Sequence, residues 1–303
     1  MSKKLSEMNL EELWLLFPAI LTEHQNCWKD WYVEEEISLK SLLPQTAKIN
    51  HIGSTSICTN AQNPNLSKSK LIKQKQHMEI GMKGMKNMDY EAMIKQLYHV
   101  DKLQGYNENE IAYVKDYFGA LPEILEDFWR KAGATKDLHH GQDHWVKPSD
   151  FQKRDWLKDR DHLILMTENQ NCCRAGIRKD DLTEKDPPVY VTIDDEDWAL
   201  CAGSVSEFLQ GMLAYQAIFT FDHCAEDFVL WLEEEEQEII QSNLVQKPFT
   251  LHNWQNMDMS FYSNASDNMV VIMDCGDLEV IYGAASKESY DKLMEVMEGL
   301  GEA

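Results

Sequence analysis

A short segment early in the chain, His51-Ile-Gly-Ser-Thr-Ser56, has residue types that could bind phosphate. The alternating residues 48–52 predict a strand that enters a turn at Gly53 and Ser54. Glycine lets a backbone approach a ligand closely, and a serine hydroxyl can hydrogen-bond it, so such a turn can hold a triphosphate. An enzyme that used this turn would also need carboxylates to hold a divalent metal ion.

Residues 6–57 resemble the GrpB family, whose chains carry a His-Ile-Gly-Ser-Thr-Ser segment followed by Pro-Gly, Ala-Lys-Pro and an Asp-containing strand. The resemblance implies a nucleotidyltransferase-like fold. This chain departs from the pattern, because Cys58 replaces the expected proline and no aspartate follows before Asp89. We therefore interpret the segment as short and incomplete, with Gly53 and Ser54 as a vestigial nucleotide-binding turn. The alternative is an active GrpB-type enzyme whose metal-binding acids come from elsewhere in the chain.

Other reactive residues do not form a recognisable catalytic or metal set. His139, His140 and His144 lie among Gly and Gln, where no helix would align their imidazoles, so a polar surface loop is the expectation. Cys172 and Cys173 are adjacent in a predicted strand and should face opposite sides. No C-x-x-C pair occurs among the seven cysteines, which favours reduced thiols. We predict no catalytic residue, no metal and no cofactor.

The overall charge excludes some partners. The 303 residues carry a formal net charge of −23, which repels phosphate backbones and anionic lipids. The longest apolar stretches are far shorter than the ~20 residues that span a bilayer. We therefore expect a cytoplasmic protein without general nucleic-acid or membrane binding.

The acidity is confined to one part of the chain. Residues 1–87 carry 11 Lys and 9 Asp+Glu, whereas residues 88–303 carry 18 Lys+Arg and 43 Asp+Glu, a net of −25. The stretch between these parts is rich in Lys and Met and has no aromatic residue, so it cannot easily bury a core. We predict a GrpB-like segment at 1–57, a basic linker at 58–87 and a folded domain at 88–303.

Helical and strand patterns are mixed in residues 88–303, which predicts an α+β fold. Asn107 and Gly119 should bound one helix, Pro122 and Lys131 a second, and Ser204 and Phe219 a third. The remaining predictions are an acidic helix at 225–241, a final helix at 287–298, and strands at 162–167, 172–177, 189–193, 259–262, 269–274 and 278–282.

A series of short motifs over residues 106–219 resembles the SUKH superfamily, the Smi/Knr family. Its members carry, in order, a Gly and a Leu-Pro around a helix end, Glu-Asn-Gln between two strands, Ala-Gly-Ile, Asp-Pro-Pro, a Trp, and Ser-Glu-Phe-Leu opening a helix. The corresponding residues are Gly119, Pro122, Glu168, Asn169, Gln170, Gly176, Pro187, Pro188, Trp198 and Phe208. The resemblance implies a SUKH-type mixed sheet with flanking helices.

The SUKH resemblance also implies a function, because bacterial members are largely taken to be immunity proteins that neutralise toxins, many of them nucleases. A basic toxin domain would be attracted to so acidic a partner. We therefore expect a non-catalytic immunity protein, with Glu233, Glu234, Glu235, Glu236 and an exposed Trp145 as candidate partner-binding residues. A regulatory protein-binding scaffold of the Smi/Knr type and the GrpB-type enzyme are the alternatives.

Overall fold

The structure is a computed structural model, and it describes residues 90–158, 161–225 and 227–301. The chain divides into two units, Met1–Ile57 and Cys58–Ala303, and the described residues all belong to the second. The predictions for Gly53 and Ser54, for the GrpB-like segment 1–57 and for the linker 58–87 lie outside the described residues.

The described residues form seven α-helices and two β-sheets. Three helices precede the first strand, three lie between strands, and one follows the last strand. In chain order they are α1 Tyr90–Leu97, α2 Glu108–Phe118, α3 Glu123–Lys131, α4 Asp150–Lys153, α5 Val205–Ile218, α6 Glu234–Asn243 and α7 Lys287–Met297. Short 3-10 turns occur at Lys136–His139, Asp155–Leu157 and Lys179–Asp181.

Two antiparallel sheets follow each other along the chain. The first has the order β1-β2-β3-β4-β5, and the second has the order β6-β11-β10-β9-β8 with β7 also paired to β11. The strands are β1 His144–Trp145, β2 His162–Thr167, β3 Arg174–Arg178, β4 Val189–Thr192, β5 Ala199–Ala202, β6 His223–Cys224, β7 Leu230–Leu232, β8 Val245–Trp254, β9 Met257–Ser263, β10 Asn268–Asp274 and β11 Leu278–Ala284. The predicted α+β class is therefore confirmed.

Helix ends follow the capping residues that the sequence supplied. The Asn107 side chain accepts a hydrogen bond from the Asn109 N–H, and Gly119, with φ +83°, ends α2 in the left-handed region that favours glycine. The Ser204 hydroxyl accepts from the Glu207 N–H at the start of α5. The Glu207 carboxylate in turn accepts from the Gly203 N–H at 2.9 Å.

Helix α5 is the centre of the main core. Its residues from Phe208 to Ile218 are all buried. They share one hydrophobic cluster with α1–α3, the first sheet and one face of the second sheet. The other face of the second sheet packs separately against α6 and α7, with Val270, Ile272, Ile240 and Leu293 among its buried residues. Strand β10 is therefore buried on both faces, which explains its nearly continuous apolar sequence.

Several sequence predictions need correction. Residues 225–241 are not one acidic helix, because β7 occupies Leu230–Leu232 and pairs with β11 before α6 begins. Cys172 and Cys173 precede β3 rather than lie within it. The prediction of reduced thiols fails at Cys275, which is disulfide-bonded, whereas Cys172, Cys173, Cys201 and Cys224 are free.

No helix in the described part of the chain combines the length and the apolar character needed to cross a bilayer.

Candidate functional site

Trp145 is a core residue and not the exposed contact that the sequence suggested. Its side chain lies in β1, is only 7% exposed, and packs between the rings of Phe128 and Phe208 at centroid distances of 5.8 and 6.3 Å. Because side chains alternate along a strand, the neighbouring His144 faces solvent instead. The expectation that Trp145 is exposed is therefore wrong.

A buried polar cluster lies beside Trp145, around Asp143. The Asp143 N–H donates to the Gln216 Oε1, and the Gln216 Nε2 donates to the Asp143 Oδ2, each at 2.9 Å. The Asp143 Oδ1 accepts from the Asn169 N–H at 3.2 Å. Burial, together with the nearby Glu168 carboxylate, raises the pKa of Asp143 to about 7. These contacts join the loop before β1, the turn after β2 and the last turn of α5.

Glu168 organises the tight turn between β2 and β3. Its Oε2 accepts from the Gln170 N–H at 2.8 Å, from the Cys172 N–H at 3.3 Å and from the Cys172 thiol at 3.0 Å. Burial raises the pKa of the Cys172 and Cys173 thiols to about 12, so neither is a ready nucleophile. The described residues contain no group of three or more His, Cys, Asp or Glu that could hold a metal ion. This cluster positions the backbone of the β2–β3 turn.

Asp186, the residue before Pro187 and Pro188, also supports the fold. The Asp186 Oδ1 accepts from the Ser206 N–H at 2.8 Å, which ties the Asp-Pro-Pro segment to the first turn of α5. Gly176 allows β3 to approach β2, since a Cβ there would lie 2.9 Å from the Leu163 carbonyl oxygen.

His162 and Trp198 stack at the far end of the first sheet. Their rings are 3.7 Å apart and inclined by 8°. Burial, together with the positive charge of Arg178, lowers the pKa of His162 to about 4. The stacked imidazole therefore stays neutral around pH 7.

The acidic run at the start of α6 divides into two kinds of residue. Glu233, Glu234 and Glu235 are exposed, whereas Glu236 is half-buried. The Glu236 Oε2 accepts from the Glu233 N–H, closing a capping box, and its Oε1 accepts from the Gly301 N–H at 3.0 Å. Glu233 and Glu236 thus hold the helix start together, and Glu234 and Glu235 are exposed on its first turn.

Trp231 is the exposed aromatic that sequence reasoning missed. It is 48% exposed in β7, where Leu230 and Leu232 on either side are buried against the cluster of α6 and α7. By strand alternation Trp231 faces the opposite side of the sheet, and Val229 shares that side. Residues 229–232 are all apolar, Val-Leu-Trp-Leu, so the sequence carried no apolar/polar alternation that would mark this strand.

Glu279 lies directly opposite Trp231 in the β7–β11 pair. Directly opposed residues of antiparallel strands place their side chains on one face, with Cβ atoms about 5 Å apart. The Glu279 side chain is half-buried, and within the described residues it forms no ion pair. Burial raises the pKa of Glu279, and the charge of Asp277 adds to this. An indole beside an unpaired carboxylate can receive a Lys or Arg side chain from a partner.

Comparisons with known proteins give one family. The family model described as GrpB protein matches residues 18–169, half of the chain. The match extends well beyond residues 6–57, where the sequence pattern was recognised, and it includes helices α1–α4 and strands β1 and β2. No curated protein and no solved structure matches the chain. None of these comparisons supports the predicted SUKH-type domain.

Proposed function

The chain belongs to the GrpB family, and we propose that its residues 88–303, most of which lie beyond the family match, bind a basic protein and do not catalyse a reaction. The observation that carries the proposal is the pair formed by the exposed Trp231 and the unpaired Glu279 on the edge of the second sheet. The residues that contribute most to binding at protein interfaces are enriched in tryptophan. A partner lysine or arginine could meet the indole face and the carboxylate together.

Charge supports the same class of partner. Residues 88–303 carry a net charge of −25, and such a field accelerates encounter with a basic surface. The exposed Glu233, Glu234 and Glu235 contribute to it. We propose a toxin domain with a basic phosphate-binding cleft, such as a nuclease, as the partner that this protein neutralises. A Smi/Knr-type scaffold would use the same surface on a partner that is not toxic.

The test is co-expression of the full chain with the toxins encoded beside its gene. Protection of the cells is expected, and Trp231→Ala or Glu279→Gln should weaken it. Tyr117→Ala is the matched control, because Tyr117 is also 48% exposed but lies in α2. Failure to protect against every neighbouring toxin, or equal loss with Tyr117→Ala, would overturn the assignment.

Association kinetics test the electrostatic part separately. With the purified toxin, the association rate should fall as salt rises, because attraction beyond the ~8 Å screening length disappears at physiological ionic strength. The triple substitution of Glu233, Glu234 and Glu235 by Gln should slow association, whereas Trp231→Ala should mainly speed dissociation. An association rate independent of salt would contradict the electrostatic proposal.

Nucleotide binding is the second candidate, because the family match includes Gly53 and Ser54. A GrpB-type transferase should bind a nucleoside triphosphate with Mg²⁺ at micromolar affinity, and Ser54→Ala should abolish the binding while Ser56→Ala should not. Titration calorimetry of the full chain measures this directly. Mg²⁺-dependent binding with that pattern would favour the enzyme over the vestigial turn.

A further inference from the structure

A cleft of about 220 Å³ opens between α1 and the second sheet, and neither Trp231 nor Glu279 lines it. Its floor is apolar and consists of Met93, Leu97, Phe249 and Met269, all of which are buried. Three polar side chains, Gln96, Lys247 and Ser266, also line it. Small-molecule sites typically have this composition, in which apolar walls hold the body of a ligand and a few polar groups orient it.

Lys247 is the distinctive residue of this cleft. It lies in β8 and is half-buried, and within the described residues its ammonium has no carboxylate partner. Burial lowers the pKa of Lys247, and no neighbouring charge opposes this effect. An ammonium that is partly removed from water without a counter-ion is unfavourable, and a bound anion would compensate for the lost hydration.

Two acidic residues adjoin lining residues in sequence, and both are already engaged. Glu91 precedes Ala92, and its Oε1 lies 3.5 Å from the Lys131 Nζ. Asp267 follows the lining residue Ser266, but its carboxylate accepts from the Ser286 and Ser289 hydroxyls and lies 3.4 Å from the His99 Nε2. Those contacts hold the pKa of Asp267 below its usual value. Lys247 therefore remains the unpaired charge of the cleft in a region that is otherwise strongly acidic.

We propose that this cleft binds a small monocarboxylate with an apolar body, whose carboxylate meets Lys247 and whose hydrocarbon part lies on Met93, Leu97, Phe249 and Met269. The Gln96 amide and the Ser266 hydroxyl are the neutral donors available to the same carboxylate. The surrounding acidity selects a singly charged ligand, because each further negative charge would be repelled by a domain with a net of −25.

Titration of the full chain with octanoate, by calorimetry or ligand-observed NMR, tests the proposal, with octanol as the uncharged analogue. Octanoate should bind saturably and more tightly than octanol. Lys247→Met keeps the apolar stem and removes the charge, so it should weaken octanoate at least tenfold and leave octanol unchanged. Lys95→Met is the matched control, because Lys95 is exposed on α1 and does not line the cleft.

Three results would overturn the proposal. The first is the absence of saturable octanoate binding at millimolar concentration. The second is octanoate binding by Lys247→Met that is as tight as that of the wild type. The third is a loss of octanoate affinity in Lys95→Met as large as that in Lys247→Met. Lys247→Gln provides a second uncharged variant if Lys247→Met unfolds, and the thermal midpoint of each variant reports its folding.

Discussion

Asp143 and Gln216 hydrogen-bond each other twice although 73 residues separate them in sequence. Both side chains are buried, so neither group can exchange its partner for water. Gly141 lies close above this pair, since a Cβ on it would be 2.3 Å from the Gln216 Oε1. The pair fixes the loop that precedes β1 against the last turn of α5.

Removing Gln216 should destabilise the protein strongly. Gln216→Leu would leave the Asp143 N–H and one carboxylate oxygen buried without a partner, at a cost of about 3 kcal/mol in the free energy of unfolding. Gln241→Leu is the control, because Gln241 is exposed on α6. Urea unfolding of both variants gives the comparison, and a cost below about 1 kcal/mol for Gln216→Leu would contradict the role of the pair.

Ionisation of Asp143 should lower stability as pH rises. Its folded pKa of about 7 lies above the ordinary value of 3.8, so its contribution is fully favourable below pH 3.8 and is lost as pH rises toward 7. Between pH 5 and 7.5 the wild type should lose roughly 3 kcal/mol relative to Asp143→Asn, which cannot ionise. Unfolding curves of both proteins at the two pH values measure this difference; a constant difference would mean that Asp143 titrates normally.

Substitution of Trp145 should cost much more stability than substitution of Trp231. Trp145→Ala creates a core cavity beside Phe128 and Phe208 and should cost about 3–5 kcal/mol of stability. Trp231→Ala removes an exposed ring and should cost about 1 kcal/mol or less while it weakens partner binding. Thermal or urea unfolding separates the two, and a large loss for Trp231→Ala would place that ring in the core.

His162 should resist protonation until well below neutral pH. Its folded pKa of about 4 lies below the ordinary value of 6.5, so its contribution to stability is present above pH 6.5 and is lost as pH falls through 4. An NMR titration of the imidazole should show this midpoint. His162→Phe retains an aromatic ring beside Trp198 and should lose less stability between pH 6 and pH 4 than the wild type does.

The sequence predicted those helix and strand ends that are set by residues close to them in the chain. Asn107 with Gly119, and Ser204 with Glu207, marked the ends of α2 and α5, because caps act within one turn. The strand at 162–167 was also predicted with its observed ends. The strand β7 was missed because its stability comes from pairing with β11, which lies about 50 residues away and leaves no local mark.

The candidate site was harder to predict, because exposure depends on what covers a strand. Trp145 and Trp231 both stand in short alternating strands, and nothing local distinguishes them. Phe128 and Phe208 cover Trp145, whereas the face that carries Trp231 is partly open. The acidic run at 233–236 was recognisable as surface, but its division into exposed residues and the helix-holding Glu236 required the geometry.

The central position of α5 has a consequence for how the domain could be divided. Gly211 lies in α5, and a Cβ on it would lie 2.7 Å from the Leu251 side chain of β8. The helix and the strand are therefore closely packed at this point. Residues from the first sheet and from one face of the second belong to the same hydrophobic cluster. A fragment that stopped at residue 219 would therefore leave one side of α5 exposed to solvent. The two sheets should unfold in one cooperative transition. For the same reason, they should be inherited, deleted or transferred to another protein only together.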